Sequence, residues 1–208
     1  MSHPAAFDAA FATCPLVAIL RGVRPDEVEA IGNQLVEAGF TLIEVPMNSP
    51  DPLDSVARLA RRFGDRAVVG AGTVLQASQV QGVVEAGGAM VISPNANPAV
   101  IAATAAAGLV SLPGISTPTE AFAALDAGAS ALKLFPAEGS DPKVLKAMLA
   151  VLPNGIRVLP VGGVGPDTMT PWREAGAAGF GLGSALYKPG MTAEEVGKNA
   201  RAFVAALP

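Results

Sequence analysis

The chain has 208 residues, half of them hydrophobic and 15% charged, with a formal net charge of -4, which suits one well-buried domain and is too short for two generous ones. No Lys/Arg cluster exceeds Arg58, Arg61 and Arg62, so the sequence carries no electrostatic footprint for nucleic acid. One cysteine, Cys14, excludes an internal disulfide, and one histidine, His3, excludes a Cys/His zinc cluster and a His-based triad. The N-terminus lacks a basic region followed by an apolar one, and no apolar run reaches the roughly 18 residues of a membrane span, so a soluble cytoplasmic protein is expected.

Short runs rich in Val, Ile and Leu alternate with longer helical patterns, the signature of parallel strands joined by crossover helices. Before the first strand, Ala5, Phe7, Ala9, Ala10 and Phe11 form an apolar cluster that predicts a short extra helix across one end of the fold. The predicted strands are LVAILRG (16–22), TLIEVPM (41–47), AVVGAGT (67–73), AMVISP (89–94), LVSLPG (109–114), ALKLFP (131–136), RVLPVGG (157–163) and GFGLGSAL (179–186). Pro25, Asp51, Ser78, Pro98, Pro118, Asp141 and Pro166 mark helix starts, and the final helix spans 193–207. An Ala-Gly pair recurs before strands, at Gly39, Gly87, Gly108, Gly128 and Gly176, where glycine suits a left-handed helix cap. Eight such units predict an α/β fold, a single-domain (β/α)8 TIM barrel over residues 1–208 with a short N-terminal helix. An open doubly wound sheet is the alternative, disfavoured because no GxGxxG opens the first unit.

In a barrel the chemistry sits at the C-terminal ends of the strands. Lys133 is the one charge in ALKLFP. An ammonium on a buried strand either finds partners or loses its proton, and a lysine that is neutral near pH 7 is an amine nucleophile. Glu44 is the one carboxylate within the predicted strands; it reads either as a proton shuttle beside Lys133 or as a buried partner for an arginine. Arg21, closing the first strand, presents a planar fork for a carboxylate, or pairs with Glu44. Thr73 ends GAGT, where its hydroxyl can donate to an anion. VGGV (161–164) and GLGSAL (181–186) fall where barrels bind phosphate, which makes Gly162, Gly163 and Ser184 contact candidates; the other reading is that small residues relieve crowding there. Pro94, Pro113 and Pro136 end strands and shape the rim, and Phe135 offers an apolar wall beside the lysine, if it is not simple core.

Together AILRG, IEVPMNSP, GAGTVL, ISPN, LKLFPAE, PVGGV and GLGSALY, in this order over nearly the whole chain, resemble the 2-keto-3-deoxy-6-phosphosugar acid aldolases, a class I family with a (β/α)8 fold. The resemblance implies retro-aldol cleavage to pyruvate and D-glyceraldehyde 3-phosphate with no metal and no cofactor, in a homotrimer. It implies Lys133 as Schiff-base lysine, Glu44 as general acid/base, Arg21 and Thr73 as holders of the pyruvyl carboxylate, and Gly162, Gly163 and Ser184 as phosphate cradle. The phosphogluconate branch carries an Arg-Thr pair after the glutamate strand and a threonine before the double glycine. Here Asn48-Ser49 and Val161 stand there, as in the phosphogalactonate branch, so Asn48 and Val161 are the expected specificity positions, with Pro94 and Phe135 as further expected pocket residues. Three rivals differ in chemistry: a phosphosugar-binding module needs no buried lysine beside a glutamate, an isomerase or epimerase cleaves no carbon-carbon bond, and a metal-dependent aldolase needs a ligand cluster.

Overall fold

The computed structural model describes residues 2–207. Helix α1 (His3–Thr13) precedes strand β1 (Leu16–Ile19), and strands and helices then alternate: α2 (Val28–Ala38), β2 (Leu42–Pro46), α3 (Pro52–Phe63), β3 (Val68–Gly72), α4 (Ser78–Glu85), β4 (Met90–Ile92), α5 (Pro98–Ala106), β5 (Val110–Leu112), β6 (Gly114–Ile115), α6 (Pro118–Asp126), β7 (Leu132–Leu134), α7 (Pro142–Leu149), β8 (Val158–Pro160), α8 (Met169–Glu174), β9 (Phe180–Leu182) and α9 (Ala193–Ala205). Local chemistry sets these bounds. Asn97, Thr117, Asp141 and Thr192 each accept a backbone N-H through the side chain at a helix start. Gly39, Gly87, Gly108, Gly128 and Gly176 all have positive φ, from 72 to 106°, as the repeated Ala-Gly pair predicts.

All strand pairs are parallel. One sheet has six strands in the order β5-β4-β3-β2-β1-β9 and the other three, β6-β7-β8. β5 and β6 are one predicted strand divided at Pro113, which has no N-H for a ladder but whose carbonyl accepts from the Lys133 N-H at 2.9 Å. On the opposite side a parallel bridge between Val161 and Gly181 links β8 to β9. The sheet therefore curls back toward its own first strand.

Side chains alternate across it. Val17, Leu42, Val68, Met90, Ile92, Val110, Leu112 and Leu159 form the inner core, with Phe7 and Phe11 of α1 packed beneath. The flanking residues, Ala18, Ile43, Val45, Val69, Val91, Leu132, Leu134 and Val158 among them, face the helix layer. The expected end helix is present, although Ala5 and Ala9 of its predicted apolar cluster are exposed. Arg157 stacks 5.8 and 5.0 Å from the Phe7 and Phe11 rings, and its guanidinium donates to Asp8 at 2.6 Å. Two further expectations shift. The first helix after Pro25 starts at Val28, and GFGLGSAL is strand only through Leu182, after which a turn begins in which Leu186 and Tyr187 donate to the Gly183 carbonyl. Among the described residues no helix is long and apolar enough to cross a membrane.

Candidate active site

Alternation on β2 and β7 sends Glu44 and Lys133 inward while Ile43, Val45, Leu132 and Leu134 face out. Glu44 is 1% and Lys133 5% exposed. Both line an interior cavity of about 10 Å³ walled by Ile19, Ile92, Leu112 and Val161, a space of the order of one water. The apolar shell around the lysine is thus made of residues from other strands. Its strand neighbours Leu132 and Leu134 point away, into the helix-facing core. Burial pushes the Lys133 ammonium below its ordinary range, Glu44 raises it and Arg21 lowers it. Burial likewise raises the Glu44 carboxyl, with Lys133 and Arg21 lowering it. Among the described residues neither Glu44 oxygen has a hydrogen-bond partner, the arrangement that makes a carboxyl hold a proton. The Phe135 ring stands 4.6 Å from the Lys133 Nζ, where its face favours a positive charge.

Gly72 creates the space for Glu44. A Cβ there would fall 1.6 Å from Glu44 Oε1, so the GAGT glycine admits the carboxylate from the neighbouring strand as well as keeping the strand end open. Arg21 does not pair with Glu44: its guanidinium donates to Asn48 Oδ1 at 2.6 Å and to Thr73 Oγ1 at 3.4 Å. Ser49 Oγ accepts the Gly22 N-H at 2.9 Å, so the loops after β1 and β2 are tied twice. Thr73 has φ of 54°, a left-handed conformation unusual for a β-branched residue and one that costs about 1–3 kcal/mol.

Above Lys133 opens a cavity of about 360 Å³ whose walls include Arg21, Phe135, Val161, Gly162, Gly163 and Ser184. Gly162 and Gly163 have φ of 108 and 66°, and the turn that opens after Leu182 carries Ser184. Asn48 and Thr73 join this site through Arg21, and Glu44 through the interior cavity. Pro94 lies outside the described walls of both cavities; its carbonyl packs against Gly114, where a Cβ would come within 2.2 Å. The charged wall residues Glu138 and Lys188 are not among the site residues expected from the sequence. Charged residues in exposed turns look like ordinary surface until the fold brings the turns together. Cys14 is buried and free, its thiol pushed up by burial, which fits a packing role.

Residues 7–201 match the family model described as KDPG and KHG aldolase. Over 192 residues the chain is 47% identical to the probable 2-dehydro-3-deoxy-6-phosphogalactonate aldolase of Rhizobium meliloti strain 1021, covering 92% of this chain and 91% of that protein. It is 45% identical to the 2-dehydro-3-deoxy-6-phosphogalactonate aldolase of Escherichia coli strain K12 over 192 residues, 92% of this chain and 94% of that one. The solved native KDPGal structure superposes with a TM-score of 0.91 at 45% identity, covering 92% and 93% of the two chains.

Proposed function

The chain belongs to the KDPG and KHG aldolase family, and from that premise we propose that it cleaves 2-dehydro-3-deoxy-6-phospho-D-galactonate to pyruvate and D-glyceraldehyde 3-phosphate through a Schiff base on Lys133. The observation that carries this reading is a buried amine and a buried carboxyl sharing one apolar cavity, each shifted by burial toward its neutral form. Such a pair supplies a nucleophile and a proton carrier together.

Arg21 and Thr73 hold the substrate carboxylate, which brings the C2 ketone to Lys133 Nζ. The neutral amine adds to C2, and Glu44 gives the proton with which the C2 hydroxyl leaves as water. The resulting iminium accepts the electron pair of the C3–C4 bond while the C4 hydroxyl proton passes to Glu44, directly or through one water. Glyceraldehyde 3-phosphate departs, C3 of the enamine is reprotonated, and water releases pyruvate and the free lysine. The Phe135 ring face favours the iminium charge, and Gly162, Gly163 and Ser184 hold the phosphate through backbone and hydroxyl donors.

The galacto preference rests on Asn48 and Val161. Asn48 uses its Oδ1 on Arg21 and keeps its Nδ2 donor for the sugar hydroxyls. Val161, buried in the wall of both cavities, offers only an apolar surface. Because the two substrates are epimers at C4, discrimination depends on these few contacts. Measuring pyruvate release from the galacto and gluco acids side by side tests the assignment: a higher kcat/KM on the galacto acid is expected, and a strong gluco preference overturns it.

The finer architecture is a closed (β/α)8 barrel in a single domain over residues 1–208, of which Met1 and Pro208 lie outside the described residues. Counting β5 and β6 as one strand gives eight parallel stations, and the Val161–Gly181 bridge supports closure. A cytoplasmic homotrimer completes the reading; exposed Leu75, Val84 and Phe122 supply apolar surface for association, and light scattering measures the mass.

A further inference from the structure

The walls of the larger cavity carry three basic residues, Arg21, Lys133 and Lys188, and one carboxylate, Glu138. Arg21 and Lys133 are committed to the substrate's carboxylate and ketone. At the phosphate end the glycines and Ser184 carry no formal charge, and Glu138 lies directly against the two glycines. A Cβ on Gly162 would come within 2.2 Å of Glu138 Oε2, and one on Gly163 within 2.4 Å of Glu138 Cγ. A phosphate of charge roughly -1.5 to -2 placed there meets a like charge. At about 4 Å, each unit-charge pair repels by about 1 kcal/mol in bulk water and about 4 at an effective dielectric of 20. A cradle built only of neutral donors beside a carboxylate is poorly suited to a dianion.

Lys188 stands where compensation is needed. It lines the cavity, its side chain is exposed, and it takes part in no ion pair among the described residues. Its backbone is fixed on both sides. Tyr187 is buried with its hydroxyl donating to Glu27 Oε1 at 3.1 Å, the Lys188 N-H donates to Met191 Sδ at 3.4 Å, and Pro189 packs on Gly22, where a Cβ would lie 2.7 Å from the proline ring. A flexible four-carbon stem on an anchored turn delivers a point charge to phosphate without demanding fork geometry.

We propose that Lys188 is the cationic ligand of the substrate phosphate, offsetting Glu138 and making the enzyme selective for phosphorylated over unphosphorylated keto-deoxy acids. The proposal rests on the aldolase reading above. The test is steady-state pyruvate release from 2-dehydro-3-deoxy-6-phosphogalactonate and from the same acid without phosphate, for wild type, Lys188→Met, Lys188→Arg and Glu138→Gln. Lys188→Met is expected to lower the ratio of the two kcat/KM values about tenfold, equivalent to about 1.4 kcal/mol, through KM for the phosphorylated acid. Lys188→Arg restores most of the ratio, and Glu138→Gln moves it the opposite way. An unchanged ratio in Lys188→Met, or an equal fall on both acids, overturns the proposal. Titration of inorganic phosphate by calorimetry separates this from the aldolase reading. Absence of pyruvate from either acid with wild type sinks that reading alone, while phosphate binding equally well to wild type and Lys188→Met sinks the role of Lys188.

Discussion

Replacing Gly72 by alanine strikes Glu44 without touching it chemically. The added Cβ would sit 1.6 Å from Glu44 Oε1, 2.2 Å from Cδ and 2.6 Å from Cγ, where ordinary contact begins at 3.4 Å. The carboxyl must therefore retreat by roughly 1.8 Å or the two strands must part, since β2 and β3 pair from Leu42–Val68 to Pro46–Gly72. Overpacking of this kind costs about 1–3 kcal/mol of stability, and a misplacement of about 1 Å at a reacting group costs on the order of a hundredfold in rate. Gly72→Ala is thus expected to remain folded, with a lower Tm, and to lose at least about a hundredfold in kcat. A coupled pyruvate assay and thermal unfolding followed by circular dichroism measure both. A variant with near wild-type kcat would refute the claim that the position of the Glu44 carboxyl limits turnover.

Glu44→Gln is expected to lower kcat by about 10²- to 10⁴-fold, the usual contribution of a general acid/base, and to remove the acidic limb of the kcat/KM pH profile; a retained limb reassigns the proton carrier. The double variant Lys133→Met/Glu44→Met exchanges two buried ionisable groups for apolar ones and is expected to gain up to about 1–4 kcal/mol in denaturant unfolding at pH 7 while losing all activity. The signs follow from the shifts. The folded pKa of Glu44 is raised, so its contribution is complete below about 4.3 and is lost as pH rises through the folded value. The folded pKa of Lys133 is lowered, so its contribution is present above about 10.4 and is lost as pH falls through the folded value. Neutral pH combines both penalties, and a less stable double variant there contradicts this balance. Thr73→Gly relieves a left-handed β-branched residue and is expected to offset its entropic cost in stability while raising KM for the keto acid several-fold; an unchanged KM removes Thr73 from the carboxylate site.

Much of the fold and of the site is legible in the sequence. A charge in ALKLFP and another in TLIEVPM stand out because alternation on a strand allows only an apolar interior or a functional one. The Ala-Gly pairs announce helix ends because only glycine takes positive φ cheaply. What escaped is what depends on neighbours distant in sequence. Pro113 divides a run whose hydropathy is continuous, since hydropathy does not register a missing N-H. The partner of Arg21 could not be chosen between Glu44 and an anion, and it is Asn48 and Thr73, brought there by loop ties such as Gly22 to Ser49. The apolar shell of Lys133 comes from Ile19, Ile92 and Leu112 on other strands, which no local window joins to residue 133. Glu138 and Lys188 look like surface charges in sequence and meet only across the cavity.

Incubating the protein with pyruvate and sodium borohydride, followed by digestion and mass spectrometry of the peptide containing residue 133, tests the Schiff-base assignment most directly. The mechanism requires a reduced pyruvyl adduct on Lys133, with activity lost in proportion and no adduct in Lys133→Ala. An unmodified Lys133, or an adduct on another lysine, contradicts it.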